Sequence, residues 1–430
     1  MKTGFGCRVS GVGISGFVAA LALSAGAAEW TPLFDGTSLK GWIGDTNGYV
    51  VEDGAMVCKP GGNILTAQEY SDFELEFEFQ LTPGANNGLG IRTPASGNAA
   101  YQGMELQILD SEHPKYATLK EYQYHGSIYG VVPAKRGHLK PTGEWNHQRV
   151  IAVGDHIKVV LNGVTIVDAW LDQVKPIDGQ AHPGLHNARG HLGWLGHGDR
   201  VAFRNIRIRD FALPPPTPGT ADNTPPAGFT ALFNGQDLAG WKGLVADPPK
   251  RAKMTPEQLA AAQVKADEAM RAHWSVKDGT LLFDGKGANL CTAKDYADFD
   301  LYVDWKIPPT ADSGIYLRGS PQLQIWDPEN KGQWAHGADK GSGALWNNQK
   351  SGNRPLVKAD KPTGQWNTFH VRMVGEKVSV WLNGQQVLDK VVMENYWERA
   401  LPIYAEGAIE LQNHGNTLFF KNLYVRELPR

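Results

Sequence analysis

Cysteine is nearly absent from this chain, with three among 430 residues, at positions 7, 58 and 291. That excludes a disulfide-scaffolded fold and every zinc site built on cysteine pairs. There is no His-Glu-x-x-His, no acidic loop with calcium spacing, no phosphate-binding glycine loop, no dinucleotide fingerprint and no Gly-x-Ser-x-Gly elbow. No metal or cofactor is therefore expected. The histidines at 182, 186, 191 and 197 are spread along a Gly-rich stretch and read as loop chemistry rather than a ligand set. Charge of either sign is also short: 42 Lys and Arg stand against 45 Asp and Glu, a formal charge of −3, with no block of like residues. Nucleic-acid binding and polybasic membrane binding are set aside on that ground.

Glycine and proline, by contrast, are plentiful at 50 and 26, too much punctuation for a mainly helical chain. The length predicts two domains. The 14 Trp, 13 Tyr and 15 Phe favour strands. Most belong to cores, and exposed ones suit stacking on sugar rings.

Residues 1–28 carry Lys2 and Arg8, an apolar run from Val9 to Leu23, and an Ala25-Gly26-Ala27 cleavage pattern. This is expected to be a secretory signal peptide, which places the protein in the periplasm or outside the cell, with no membrane insertion. Cys7 precedes the apolar run, too early for a lipidated cysteine. Cys58 and Cys291 then remain, to be read as two separate buried thiols or, less simply, as one interdomain bridge.

The remainder is one module written twice. Leu33-Phe34-Asp35-Gly36 with Gly41-Trp42 recurs as Leu232-Phe233-Asn234-Gly235 with Gly240-Trp241. Tyr70-Ser71-Asp72-Phe73 recurs as Tyr296-Ala297-Asp298-Phe299, and Lys140 to Asn146 as Lys361 to Asn367. The Pro-rich stretch 213–228 divides a first copy, 29–212, from a second, 229–430, and is expected to be extended. Within a copy, Phe73 to Phe79 alternates apolar residues with Glu74, Glu76 and Glu78, the period of a half-buried strand. Asn162-Gly163 between strand-like runs signals a hairpin. Short strands and frequent turns predict an all-β fold, two tandem two-sheet sandwiches of the jelly-roll type. A stretch at about 245–272, opening with Thr255-Pro256-Glu257-Gln258, predicts one inserted helix in the second copy.

The phrases GMELQILD (103–110), YHGSIYGVVPA (124–134), LGHG (195–198) and FRNIRIRD (203–210) resemble the 3-keto-disaccharide hydrolase family. So do LCTAKDY (290–296), DSGIYLRGSPQLQIWD (312–327) and ELQNHG (410–415) in the second copy. The resemblance implies concanavalin-like jelly rolls acting on, or binding, oxidised sugars.

Strand alternation puts Glu105 and Gln107 on one face and Met104, Leu106 and Ile108 on the other, so the polar pair is expected on the concave side where a sugar would lie. The same alternation carries Gly88, Gly90 and Arg92 along one face. With Asp110, Tyr124, His125, Tyr129 and His197 these supply carboxylates, a guanidinium, imidazoles and phenols for acid/base work. On a 3-keto glycoside, Glu105 or His125 is the expected base at C2, Arg92 the enolate partner and Asp110 the acid on the departing oxygen. Gln107, Tyr124, Tyr129 and His197 are expected to bind substrate. The second copy offers Arg318, Gln322, Gln324, Asp327, Asn347, Glu410, Gln412 and His414 for binding. Gln322 replaces Glu105 there, Ser342 replaces His125, and Glu410 and Gln412 stand where the first copy has Gly193 and Leu195. The copies are therefore not expected to do identical work. The expected function is an exported hydrolase of 3-keto disaccharides or 3-keto glycosides, working by elimination and hydration or by direct hydrolysis, supplied by a sugar 3-dehydrogenase. The alternative is a carbohydrate-binding protein with two lectin-like domains.

Overall fold

The computed structural model describes residues 29–212 and 221–430. The expected signal peptide and residues 213–220 of the connector lie outside them.

Each half is an all-antiparallel sandwich. In the first, an eight-stranded sheet runs Val164–Trp170, His156–Leu161, Trp145–Val153, Phe73–Leu81, Val201–Asp210, Ala55–Cys58, Tyr49–Glu52, and Thr31–Pro32 adds to Val201–Asp210. Facing it is a five-stranded sheet ordered Trp42–Gly44, Asn63–Thr66, His191–Leu195, Asn86–Thr93, Met104–Leu109. The second half repeats both sheets in the same order, so the chain is two tandem jelly-roll sandwiches.

The expected alternation holds. Phe73, Leu75, Phe77 and Phe79 are buried between the sheets, while Glu76 and Glu78 pair outward with Arg207 and Arg204. Trp194 lies flat on Phe203 with ring centroids 3.7 Å apart at the centre of the core. Burying one such side chain contributes roughly 1.5–3 kcal/mol. Asn162 and Gly163 both have positive φ, 49° and 86°, as the two-residue hairpin turn requires.

The insertion forms two helices rather than one, Pro248–Arg251 and Pro256–His273. The longer begins as its sequence predicts, with Thr255 and Gln258 forming a capping box. It lies along the edge strand Trp241–Gly243, whose Gly243 N–H donates to Asp267 at 2.9 Å and whose Gly243 carbonyl accepts from Gln263 at 2.9 Å. The helix thus satisfies a sheet edge that would otherwise be open for pairing. No described helix is long and apolar enough to cross a membrane.

The connector, where described, is not extended away from the domains. Asn223 and Asn422 exchange backbone-to-side-chain hydrogen bonds at 2.6 and 3.0 Å, tying it to the last strand. The two sandwiches dock through their larger sheets around Ile151, Val153, Phe211, Val374 and Leu428, and Lys377 reaches Asp172 at 2.6 Å. Cys58 and Cys291 are buried, unpaired thiols, one in each half.

Candidate functional sites on the two smaller sheets

The smaller sheet of each half carries a cleft. In the first half it holds about 300 Å³ and is lined by Asn86, Tyr101, Glu105, Gln107, Tyr129 and His197 among others. Glu105 and Gln107 both line the cleft from the strand Met104–Leu109, the face that strand alternation predicts, although every residue of that strand is buried. The Glu105 carboxylate lies over Gly88, where an added Cβ would meet its Oε1 at 2.1 Å, so only glycine leaves it room. The loop carrying the YHGSIYG phrase runs alongside the same strand: Gly126 N–H donates to the Gln107 carbonyl at 2.7 Å and Tyr129 N–H to the Glu105 carbonyl at 2.9 Å. That pairing sets Tyr129 at the cleft.

Glu105 is 5% exposed and its Oε1 has no hydrogen-bond partner. His197 Nε2 stands 3.8 Å from that oxygen, an ion-pair distance, and the Glu105 carboxylate raises the imidazole's pKa above 6.5. A buried, unpartnered carboxylate oxygen beside a readily protonated imidazole has the chemistry for proton transfer in both directions. Tyr129 accepts from Gln123 Nε2 at 3.2 Å, which leaves its own hydroxyl proton free to donate.

Several expected residues lie elsewhere. Arg92 has φ +49°, a left-handed conformation that breaks the alternation and turns it off the cleft. It is buried against Asp72, donating to the carbonyls of Ser71 and Gly154 at 2.8 Å each. Arg318, at φ +52°, does the same with Asp298 at 2.6 Å. The repeated Tyr-x-Asp-Phe phrase is thus an architectural ion pair, not a ligand site.

Asp110 accepts the Gly84 N–H at 2.8 Å, and Asp327 accepts the Thr310 N–H at 2.8 Å: both close a turn. His125 is buried between the sheets, stacked on Phe79, with Nδ1 accepting from Leu109 N–H at 3.3 Å and Nε2 facing Gln148 at 3.0 Å. Burial lowers its pKa to about 4, so it is a neutral core imidazole rather than a base at the cleft. Tyr124 is buried outside the cleft lining, under the Arg136 guanidinium at 3.8 Å.

The second cleft, about 360 Å³, gathers the predicted Gln322, Gln324, Asn347, Gln412 and His414. Glu410 shares the face of Gln412 but is covered, 1% exposed, and faces Asn289 at 3.3 Å. Burial pushes its pKa up to about 7. Here the imidazole keeps a carboxylate partner, but a different one: His414 Nδ1 is 3.4 Å from Asp312 Oδ2. Asp312 occupies the place of Asn86, one strand away from the place of Glu105. Burial raises the Asp312 pKa.

The sequence reading missed the walls. Tyr101 comes from the helix Ala99–Gln102, inserted where the second half has only a tight turn. Trp346, Tyr396 and Trp397 wall the second cleft from loops distant in the chain. Exposed aromatics were the one available signal, and nothing in the sequence says which are exposed. Among the described residues no three His, Cys, Asp or Glu converge as metal ligands would.

The 3-keto-alpha-glucoside-1,2-lyase-like domain matches the chain twice, over residues 29–209 and again over 228–426. A 3-keto-disaccharide hydrolase of Bacteroides thetaiotaomicron is 26% identical over 234 residues, spanning 44% of this chain and 81% of its own. A solved structure from Parabacteroides distasonis, provisionally named a glycosyl hydrolase, is 29% identical over 43% of this chain and 100% of that one, with a TM-score of 0.40. A carbohydrate-binding module from Bacillus subtilis aligns over 40% of this chain and 96% of its own at 16% identity and a TM-score of 0.27.

Proposed function

The chain belongs to the 3-keto-alpha-glucoside-1,2-lyase-like family, and from that premise we propose that its first cleft cleaves 3-keto disaccharides or related 3-keto glycosides by elimination and hydration. The observation that carries the proposal is the Glu105–His197 pair, a carboxylate with a free buried oxygen 3.8 Å from an imidazole that the same carboxylate favours in its protonated form. A keto group at C3 acidifies the proton at C2, and the 1,2-lyase description of the family and the name of the Bacteroides relative agree with that substrate class.

In this scheme Glu105 takes the C2 proton while the C1–oxygen bond breaks and a C1–C2 double bond forms. His197 gives its proton to the departing oxygen. Tyr129 donates a hydrogen bond to the C3 oxygen as negative charge develops there, the role that Arg92, buried against Asp72, does not fill. Water then adds: neutral His197 removes a proton from it as it bonds to C1, and Glu105, whose carboxyl proton exchanges with solvent once the alcohol has left, protonates C2. Both groups end as they began, and the products are a 3-keto sugar and the released alcohol. The substrate has to be supplied by a reaction of one class, oxidation of a sugar's C3 hydroxyl, for which a sugar 3-dehydrogenase serves. The protein is proposed to act after export, in the periplasm or outside the cell, a placement tested by sequencing the N-terminus of the protein recovered from those fractions.

The test of the reaction is to incubate the protein with 3-keto trehalose in deuterium oxide and follow release by mass spectrometry. Cleavage with deuterium at C2 is expected. Cleavage without deuterium would mean direct hydrolysis, and saturable binding without cleavage would mean a carbohydrate-binding protein.

A further inference from the structure

In the second cleft the side-chain amides form a directed chain. Gln324 Nε2 donates to Asp312 Oδ1 at 2.7 Å, and also to the carbonyls of Ser313 and Ile325 at 3.2 Å each. Gln324 Oε1 in turn accepts from Gln322 Nε2, and Gln322 Oε1 accepts from Gln412 Nε2 at 2.8 Å. The direction follows from the first link, because a carboxylate and two carbonyls can only accept. Gln324 must turn its nitrogen toward them, which presents its oxygen to Gln322, and the same constraint passes to Gln412. The last atom, Gln412 Oε1, is buried and has no partner, and Asn347 Oδ1 across the cleft is likewise buried and unpartnered. Buried acceptors without donors are costly unless a ligand supplies them. The first half cannot build this chain: Glu105 stands in place of Gln322 and Leu195 in place of Gln412. Both Asp312 oxygens are engaged, Oδ1 by the Gln324 donor and Oδ2 by His414 at 3.4 Å, whereas Glu105 Oε1 accepts no hydrogen bond and meets only His197, at 3.8 Å. At the mouth, Trp346 and Tyr396 are 36% and 39% exposed, flat faces available to a sugar ring.

We propose that the second cleft is a binding site for an unoxidised neutral pyranoside, held by hydroxyl groups that donate to Gln412 Oε1 and Asn347 Oδ1 while the ring stacks on Trp346 or Tyr396. This rests on the protein being carbohydrate-active, and it assigns the second half a ligand other than the substrate of the first. A 3-keto sugar has exchanged one hydroxyl donor for an acceptor. A site whose fixed free groups are acceptors discriminates against it, so the second half holds the sugar that has not yet been oxidised while the first acts on the form that has.

Tryptophan fluorescence reads this site selectively, because Trp326, Trp346 and Trp397 line the second cleft and no tryptophan lines the first. Trehalose and 3-keto trehalose are titrated into the full chain, the latter into the Glu105→Gln protein so that it is not consumed. Trehalose should give a saturable change, with 3-keto trehalose about tenfold weaker, the fold-change equivalent of one net hydrogen bond. Gln412→Leu should weaken trehalose binding by about tenfold for the same reason. Asn347→Leu should do likewise, because it removes the other unpartnered acceptor, and it provides a second test should the leucine at 412 perturb folding. No saturable change with trehalose, or equal affinity for the two sugars that both variants retain, would overturn the proposal. Trehalose binding without cleavage of 3-keto trehalose would remove the reaction assigned to the first cleft and leave this site standing.

Discussion

Asp72 in the first sandwich forms an ion pair with Arg372 in the second, and the same carboxylate holds Arg92 of its own half at 3.4 Å. Arg372 also forks onto Asp300 at 2.7 and 2.9 Å and donates to the Phe211 carbonyl at 2.6 Å. Asp300 is fully buried, and the guanidiniums of Arg372 and Arg426 beside it hold its carboxyl well below the usual range. The seam between the halves is therefore a buried charge network, and removing one member leaves the others uncompensated. Arg372→Met should destabilise the protein by about 3–5 kcal/mol, read by urea denaturation. A change below about 1 kcal/mol would mean that the network contributes little to holding the halves together.

Glu105 and His125 make opposite predictions for turnover. Glu105→Gln keeps the shape of the cleft and removes the base, and turnover of a 3-keto glycoside should fall by about a hundredfold or more. His125→Ser should leave turnover within about threefold, because Ser342 already does the same work in the second half, its Oγ accepting the Trp326 N–H at 3.1 Å as His125 Nδ1 accepts that of Leu109. The cost of that substitution should appear as stability, about 2–4 kcal/mol for the cavity it opens. The reverse pattern would exchange the two roles.

The pH dependence of the first cleft follows from His197. The Glu105 carboxylate lifts its pKa above 6.5, so the protonated form that donates to the leaving group is lost as pH rises through that higher value. The alkaline limb of kcat/KM should track the His197 titration measured by NMR, and Glu105→Gln should move that titration down toward 6.5. An imidazole that titrates identically in both proteins would break the link.

Two buried groups give stability opposite slopes with pH. His125 binds its proton at about 4 in the fold against 6.5 unfolded, so between those values the unfolded chain holds more protons and stability falls as pH falls. Glu410 binds its proton at about 7 in the fold against 4.5 unfolded, so there the fold holds more protons and stability falls as pH rises. Each effect reaches about 3 kcal/mol, and between pH 4.5 and 6.5 they offset. Glu410→Gln should therefore tilt the urea-denaturation free energy upward with pH across this window, and His125→Ser should tilt it downward. Parallel curves for the two variants would refute both assignments.

The duplication, the all-β class, the Asn162-Gly163 hairpin and the face on which Glu105 and Gln107 stand are legible in the sequence alone. All of these depend on short-range periodicity or on turn chemistry, which neighbouring residues settle among themselves. The tertiary structure decided the rest. Strand alternation carried Arg92 to the cleft, but one left-handed residue reverses a face, and what stabilises that conformation is Asp72 and Gly154, far away in the chain. His125 looked like a catalytic group because burial, which makes it a neutral core residue, is a property of the closed sandwich and not of the phrase around it. The same holds for the Asp312–His414 pair: a carboxylate lost at Gln322 and regained on the neighbouring strand is visible only when the two strands are paired. Local sequence sets which way a side chain points, while its neighbours are chosen by long-range packing.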